Sequence, residues 1–297
     1  MVCVKVPATT ANMGPGFDCL GMALKLYNIV EMKEVNEGVR IELQGDKGGI
    51  PLNEENIVYK AALKVFEAVN YKPGGIHIKL KNNIPLCRGL GSSAAAIVGG
   101  IVAANELSGK KLDNERMLDI ANQLEGHPDN VAPALLGGII VSVIVRDVKY
   151  IKISPPMGLK AVVVVPDFRL STKLARDVLP KEVPFEDAVF NTSRAAMLIA
   201  ALYSGDLEKL KFAVEDRLHQ DYRSKLVPGM NEVFKEAYKA GAKGVILSGA
   251  GPTLLAFADS NFDEIADAMS NTFTKFDIKT DVMHLEPSNR GAEVNLI

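Results

Sequence analysis

Cysteine and histidine are scarce in this chain, three of the first and four of the second among 297 residues. Cys3, Cys19 and Cys87 make no even set and no CxxC pair, which argues against a disulfide framework and a cysteine zinc site. The histidines never fall into HExxH or a comparable ligand spacing, so a structural metal built on them is not expected either. No apolar run reaches the roughly 18 residues that a membrane span requires. The N-terminus opens on an alternating VCVKV rather than a basic patch and a long apolar core. Neither sign of charge prevails: 34 Lys and Arg against 36 Asp and Glu leave a formal charge of -2, which speaks against wholesale attraction to nucleic acid or anionic lipid. The expectation is a cytoplasmic protein with a small-molecule ligand and no nucleic-acid or membrane partner.

What is present is ordinary in bulk, with 47% hydrophobic and 24% charged residues. The length exceeds that of a usual single core, so two packed domains or one large α/β unit are anticipated. Period-two alternation predicts strands over residues 2–6, 39–43 and 76–80, each with one apolar face. Between the second and third, Val58, Ala62, Val65, Phe66 and Val69 recur at helical spacing behind an Asn53 cap, and YKPGG ends the helix. A helix after RGLG runs to about Leu107, and another starts at an Asp113 cap. GGIIVSVIV reads as a buried strand. The charged turn RDVKY with SPPMG beyond it suggests a domain break near 150, giving domains 1–150 and 151–297. The second half opens on the strand KAVVVVP. Helical stretches over 188–203, 207–217 and 230–240 follow, then strand at GVILSGAGPTLLAFA, a helix over 262–269 and a strand over 281–285. Interleaved strands and helices, with sheets exposed on one face, predict an α+β fold.

The stretch IPLCRGLGSSAAAIVGG, residues 84–100, breaks an apolar chain with Arg-Gly-Leu-Gly-Ser-Ser and then resumes as an alanine-rich helix. Gly89 and Gly91 remove two Cβ atoms where the backbone enters the helix, with Ser92 and Ser93 at the cap and first turn. Unpaired N–H groups and the positive helix end, with Arg88 adjacent, suit a phosphate; a plain strand-to-helix turn is the rival reading. A Walker A loop needs a lysine that does not follow here. The literal G-x-G-x-x-A lacks a parallel strand after its helix, which disfavours a dinucleotide site.

Glu125 falls in the last turn of the helix before a Gly126 cap, where a carboxylate meets the negative helix end and a cation would offset the cost. With a hydroxyl from Ser92 or Ser93 it would supply part of a Mg2+ shell, the alternative being a solvated carboxylate. In HPDN, Asp129 or Asn130 could cap the following helix; Asn130 or His127 could instead hold a reacting hydroxyl, and Asp129 could act as a base.

Three separated blocks, PATTANMGPGFDCLGMAL, PLCRGLGSSAAA with EGHPDNVAP, and GAKGVILSGAGPTLLAF, together resemble the GHMP kinase superfamily, and within it the homoserine kinases. The resemblance implies a two-domain α+β fold. Its N-terminal domain would carry a left-handed β-α-β unit, against the usual right-handed bias, and its C-terminal domain would be ferredoxin-like, with the site in the cleft between them. It implies ATP held by Pro85, Leu86, Cys87, Arg88, Gly89, Leu90, Gly91, Ser92, Ser93, Ala94 and Ala95, with Asn56 near the adenine. Mg2+ would lie on Ser92 or Ser93 and Glu125. Glu125, Asn130 and Ser93 are the catalytic candidates. Cys87 departs from the small residue usual there.

L-homoserine, the substrate this implies, is a zwitterion with a primary hydroxyl. Asp18 could pair with its ammonium, Asn12 with its hydroxyl or amine, and Arg194 and Arg223 with its carboxylate through bidentate forks. His127, Gly249 and Gly251 complete the substrate candidates. The remaining alternatives are a GHMP kinase for another alcohol such as mevalonate or shikimate, a nucleotide-binding module without transfer, and, on the glycine string alone, a nicotinamide enzyme. Homodimerisation is left open.

Overall fold

The valine-rich start forms a longer strand than its alternation marks. In the computed structural model, which describes residues 1–45 and 48–296, β1 spans Val2–Ala11 and pairs antiparallel with β2, Leu20–Val35. β3 (Gly38–Gly45) and β4 (Gly75–Asn82) lie side by side and parallel, linked through α1 (Ile57–Ala68) in a β-α-β crossover. The cap of α1 is Asn56, whose side chain accepts from the Val58 N–H; Asn53 instead accepts from the Glu55 N–H just upstream.

α2 (Ser92–Leu107) is built from Ala, Gly, Ile and Val and is buried on nearly all sides. A helix without a polar face has to lie between other elements. Its small residues permit this: a Cβ at Gly100 would lie 2.4 Å from the Val58 carbonyl oxygen of α1. Next come α3 (Asn114–Glu125), capped by Asp113 as expected, and α4 (Pro128–Leu136). β5 (Ile139–Ile144) and β6 (Val148–Ile153) then form a hairpin on β2. The predicted turn RDVKY is therefore half strand.

The second half holds β7 (Lys160–Pro166), α5 (Thr172–Asp177), α6 (Phe185–Ser204), α7 (Leu210–Ala213), α8 (Gln220–Arg223) and α9 (Met230–Lys239). β8 (Gly244–Leu247), β9 (Leu254–Ala258), α10 (Phe262–Thr274) and β10 (Thr280–Leu285) follow. Its sheet has the order β10-β7-β9-β8, antiparallel throughout, which is the ferredoxin-like arrangement. One further strand, β11 (Glu293–Leu296), returns to the first sheet and pairs antiparallel with β1, giving it seven strands. A break at 150 would cut β6. We propose the division after Ile153 instead, with the segment from residue 286 onward belonging to the first domain.

Candidate active site

The loop between β4 and α2, the glycine turn after β1, the start of α4, and the β8–β9 turn converge on one cleft of about 320 Å³. Cys87, Gly89 and Gly91 have left-handed backbone, and Gly91 rather than either serine is the N-cap of α2. A Cβ at Gly89 would sit 2.2 Å from the Ser248 carbonyl oxygen, and one at Gly91 1.9 Å from Thr9 Oγ1. The backbone is thus clamped between β1 and the β8–β9 turn. Thr9 N–H donates to Leu90 O at 3.1 Å, Thr253 N–H to Arg88 O at 3.2 Å, and Ser248 Oγ to Gly89 O at 2.6 Å.

No side chain caps α2 among the described residues, so its first-turn N–H groups lack an intrahelical acceptor and gather the positive end of the helix. Beside them Arg88 binds Asp167 at 3.2 Å through Nη2, while its buried Nη1 has no partner among the described residues. A guanidinium with one buried nitrogen left over from its ion pair and a bare helix end both suit an anion. A nucleotide's phosphates fit that need. Ser92 Oγ turns back to Ile84 O at 3.4 Å, whereas the exposed Ser93 Oγ donates to Glu125 Oε2 at 3.0 Å. Burial pushes the Glu125 carboxyl above the usual carboxylate range, against the opposing His127 charge and Ser93 hydrogen bond. A half-buried carboxylate beside a hydroxyl fits a hard cation, and of the two serines Ser93 is the one turned toward it.

Deeper in the cleft, Asn12 accepts from the Asp18 N–H at 3.0 Å and donates to Gly249 O at 3.0 Å, so it ties the N-terminal turn to the β8–β9 turn. Asp18 is held by both arms of Arg176, at 2.6 and 3.0 Å. That hydrogen bond raises the Arg176 pKa. Arg223 is 2% exposed. Burial, and then the charge of Arg176, bring it down to about 10, so it stays cationic at neutral pH. His127 Nδ1 meets Asp129 Oδ1 at 2.6 Å. Burial works to lower the imidazole, but the Asp129 hydrogen bond and the charges of Asp129 and Glu125 outweigh it, and His127 is raised above 6.5. Asn130 accepts from Thr9 Oγ1 at 2.8 Å and donates to Asp129 at 3.3 Å.

Nearly all the sequence-predicted residues line this cleft: 85–93, Asn12, Asp18, Asn56, Glu125, His127, Asn130, Arg223, Gly249 and Gly251. Three do not. Ala94 and Ala95 are buried beneath the loop. Arg194 lies outside the cleft lining, over the Phe190 ring at 3.9 Å and bound to Glu215 at 2.9 Å. Asn56, though at the cleft wall, is fully buried and spends its side chain on the α1 cap and on Pro51 O. The residue that sequence reasoning missed is Arg176. Asp129 also lines the cleft, in contact with His127, rather than capping a helix; His127 itself is the N-cap of α4.

Residues 56–138 match the model of the GHMP kinases N terminal domain and residues 198–275 that of the GHMP kinases C terminal. With its phosphate-fitting loop and two-sheet fold, the chain belongs to the GHMP kinases. Within them it has full-length relatives that are homoserine kinases. That of Petrotoga mobilis is 48% identical over 99% of this chain and 96% of the relative, and that of Caldicellulosiruptor bescii is 48% identical over 99% and 97%. The crystal structure of homoserine kinase from Cytophaga hutchinsonii superposes with a TM-score of 0.91 at 34% identity, covering 99% of this chain and 97% of that one. A mevalonate kinase structure, at 16% identity and a TM-score of 0.73, shares the fold. Among the described residues no helix is long and apolar enough to cross a membrane.

Proposed function

We propose that the chain transfers the γ-phosphoryl group of ATP to the hydroxyl of L-homoserine, giving O-phospho-L-homoserine and ADP. The observation that carries this reading is the charge layout beside the phosphate loop. Asp18 and Arg176 lie paired in one cleft with Arg223 and the Asn12 amide. A zwitterion offers Asp18 an ammonium and Arg176 a carboxylate, the same partners each has in the other. A substrate with a carboxylate and no amine would leave Asp18 repelling it.

In this reading the α2 end, Gly89–Gly91 backbone and Arg88 bind the nucleotide's phosphates, and Ser93 and Glu125 hold Mg2+. The metal, when bound, neutralises phosphate charge. Asn12 fixes Asp18 by accepting its backbone N–H. Asn130 and His127 border the acceptor hydroxyl, their orientation set by Thr9 and Asp129. Phosphoryl transfer through a loose transition state rests on positioning and charge stabilisation, so a strong base is not obligatory. Cys3, Cys19 and Cys87 are all free thiols, which supports a reducing, cytoplasmic setting.

The test is ADP release coupled to a panel of alcohols. ADP formed with L-homoserine, and not with mevalonate or shikimate, is the expected outcome. ADP formed with one of the others while L-homoserine gives none would overturn the assignment.

A further inference from the structure

His219 has no exposed surface and no place in the reaction, yet both of its ring nitrogens are spoken for. Nε2 lies 2.8 Å from Gly14 O, and Nδ1 lies 3.3 Å from Arg223 Nη1. The Gly14 carbonyl can only accept and the guanidinium can only donate. One tautomer satisfies both: the proton sits on Nε2 and the Nδ1 lone pair faces the arginine. An imidazolium would turn an N–H against the guanidinium, and the other tautomer would fail both partners.

The surroundings agree. Asp216 Oδ2 is 3.6 Å from Nε2, beyond hydrogen-bonding distance, and accepts instead from the backbone N–H groups of His219 and Gln220. The Phe17 ring covers the imidazole at a centroid distance of 5.2 Å. Burial, helped by the Arg223 charge and opposed by Asp216, Gly14 and Asp18, holds His219 below its ordinary value.

The consequence falls on Arg223. Its Nε–H donates to Ala175 O at 2.9 Å, and its Nη1 donates to Gly249 O at 3.0 Å and to His219. Both hydrogens of Nη1 and the single one of Nε are thereby fixed. Nη2 alone has no protein acceptor among the described residues, in a side chain that lines the cleft. A planar guanidinium tethered at two nitrogens has its third direction set.

We propose that His219, as the Nε2–H tautomer bridging Gly14 and Arg223, is a positioning residue that sets the plane of Arg223 so that Nη2 presents to the substrate's carboxylate. The inference rests on the homoserine reading given above for the ligand, and on hydrogen-bond geometry for the positioning.

Two substitutions separate the two ends of the ring. The amide nitrogen of His219→Gln reaches the Nε2 position and keeps the donor to Gly14, but leaves Arg223 without its acceptor. The oxygen of His219→Asn occupies the Nδ1 position and keeps that acceptor. With L-homoserine, His219→Gln is expected to raise KM about tenfold or more, while His219→Asn stays within about threefold of the parent and KM for ATP holds in both. With 3-aminopropan-1-ol, the same amino alcohol without the carboxylate, His219→Gln should match the parent. A His219→Gln enzyme that saturates normally with L-homoserine, one that loses kcat/KM equally on both alcohols, or Gln and Asn enzymes that behave alike would each overturn the proposal.

Should the variants fail to fold, NMR of the parent chain labelled at histidine decides, with His219 identified by its contact with the Phe17 ring. The Nε2–H tautomer at pH 7 supports the bridge; an imidazolium or the Nδ1–H form overturns it. A parent chain that yields no ADP with L-homoserine removes the ligand assignment, and the tautomer still reports on the bridge.

Discussion

Arg176 and Arg194 are both arginines on second-half helices, and the sequence favours the wrong one of the pair for the cleft. Arg194 stands one turn after Phe190 and lies over its ring, with Glu215 closing the other side; that i, i+4 aromatic was a local signal for a packed surface cation. Arg176 carries no such signal, because its partner Asp18 is 158 residues away and meets it only when the two domains pack. The candidates that do line the cleft, Asp18, Asn12, Glu125 and the glycine loop, lie in short blocks whose conformation depends on local backbone. Arg176→Ala is therefore expected to raise KM for L-homoserine by about tenfold or more, the scale of a charge-assisted hydrogen bond. Arg194→Ala should leave it within about twofold of the parent. Steady-state kinetics at saturating ATP measure both, and the reverse ranking would return the carboxylate role to Arg194.

At the scale of elements, the start of α2 shows what glycine contributes. Its N-cap has left-handed backbone, and the space where a Cβ would stand is occupied by Thr9 Oγ1, itself bonded to Asn130. Gly91→Ala then strains the backbone and pushes on the pair that orients Asn130. A loss of about 1–3 kcal/mol is expected, with a raised KM for ATP, read by denaturant unfolding and kinetics. Stability and nucleotide saturation equal to the parent would show that the loop yields freely. Long periodic helices such as α3 and α9 were legible down to their caps or nearly so, since their patterns repeat over several turns. β11 was not: at four residues it is too short for alternation to register, and what makes it a strand is the edge of β1. The start of β6 was likewise hidden among charged residues, because an edge strand with an exposed face need not look apolar.

For the molecule as a whole, the return of the C-terminus to the first sheet binds the two halves more firmly than a linker would. β11 supplies four residue pairs to β1, and the approach to it packs so tightly on α4 that a Cβ at Gly291 would lie 2.1 Å from Leu135 O. Removing residues 286–297 should lower the melting temperature by several degrees and leave the β1 edge open to association. Calorimetry and light scattering test this, and a truncated chain as stable and monodisperse as the parent would reduce β11 to an ornament of the edge. The same return has a bearing on synthesis. β1 leaves the ribosome long before β11, so its outer hydrogen bonds stay unpaired until β11 has emerged, and the nascent chain carries an open flank over that interval.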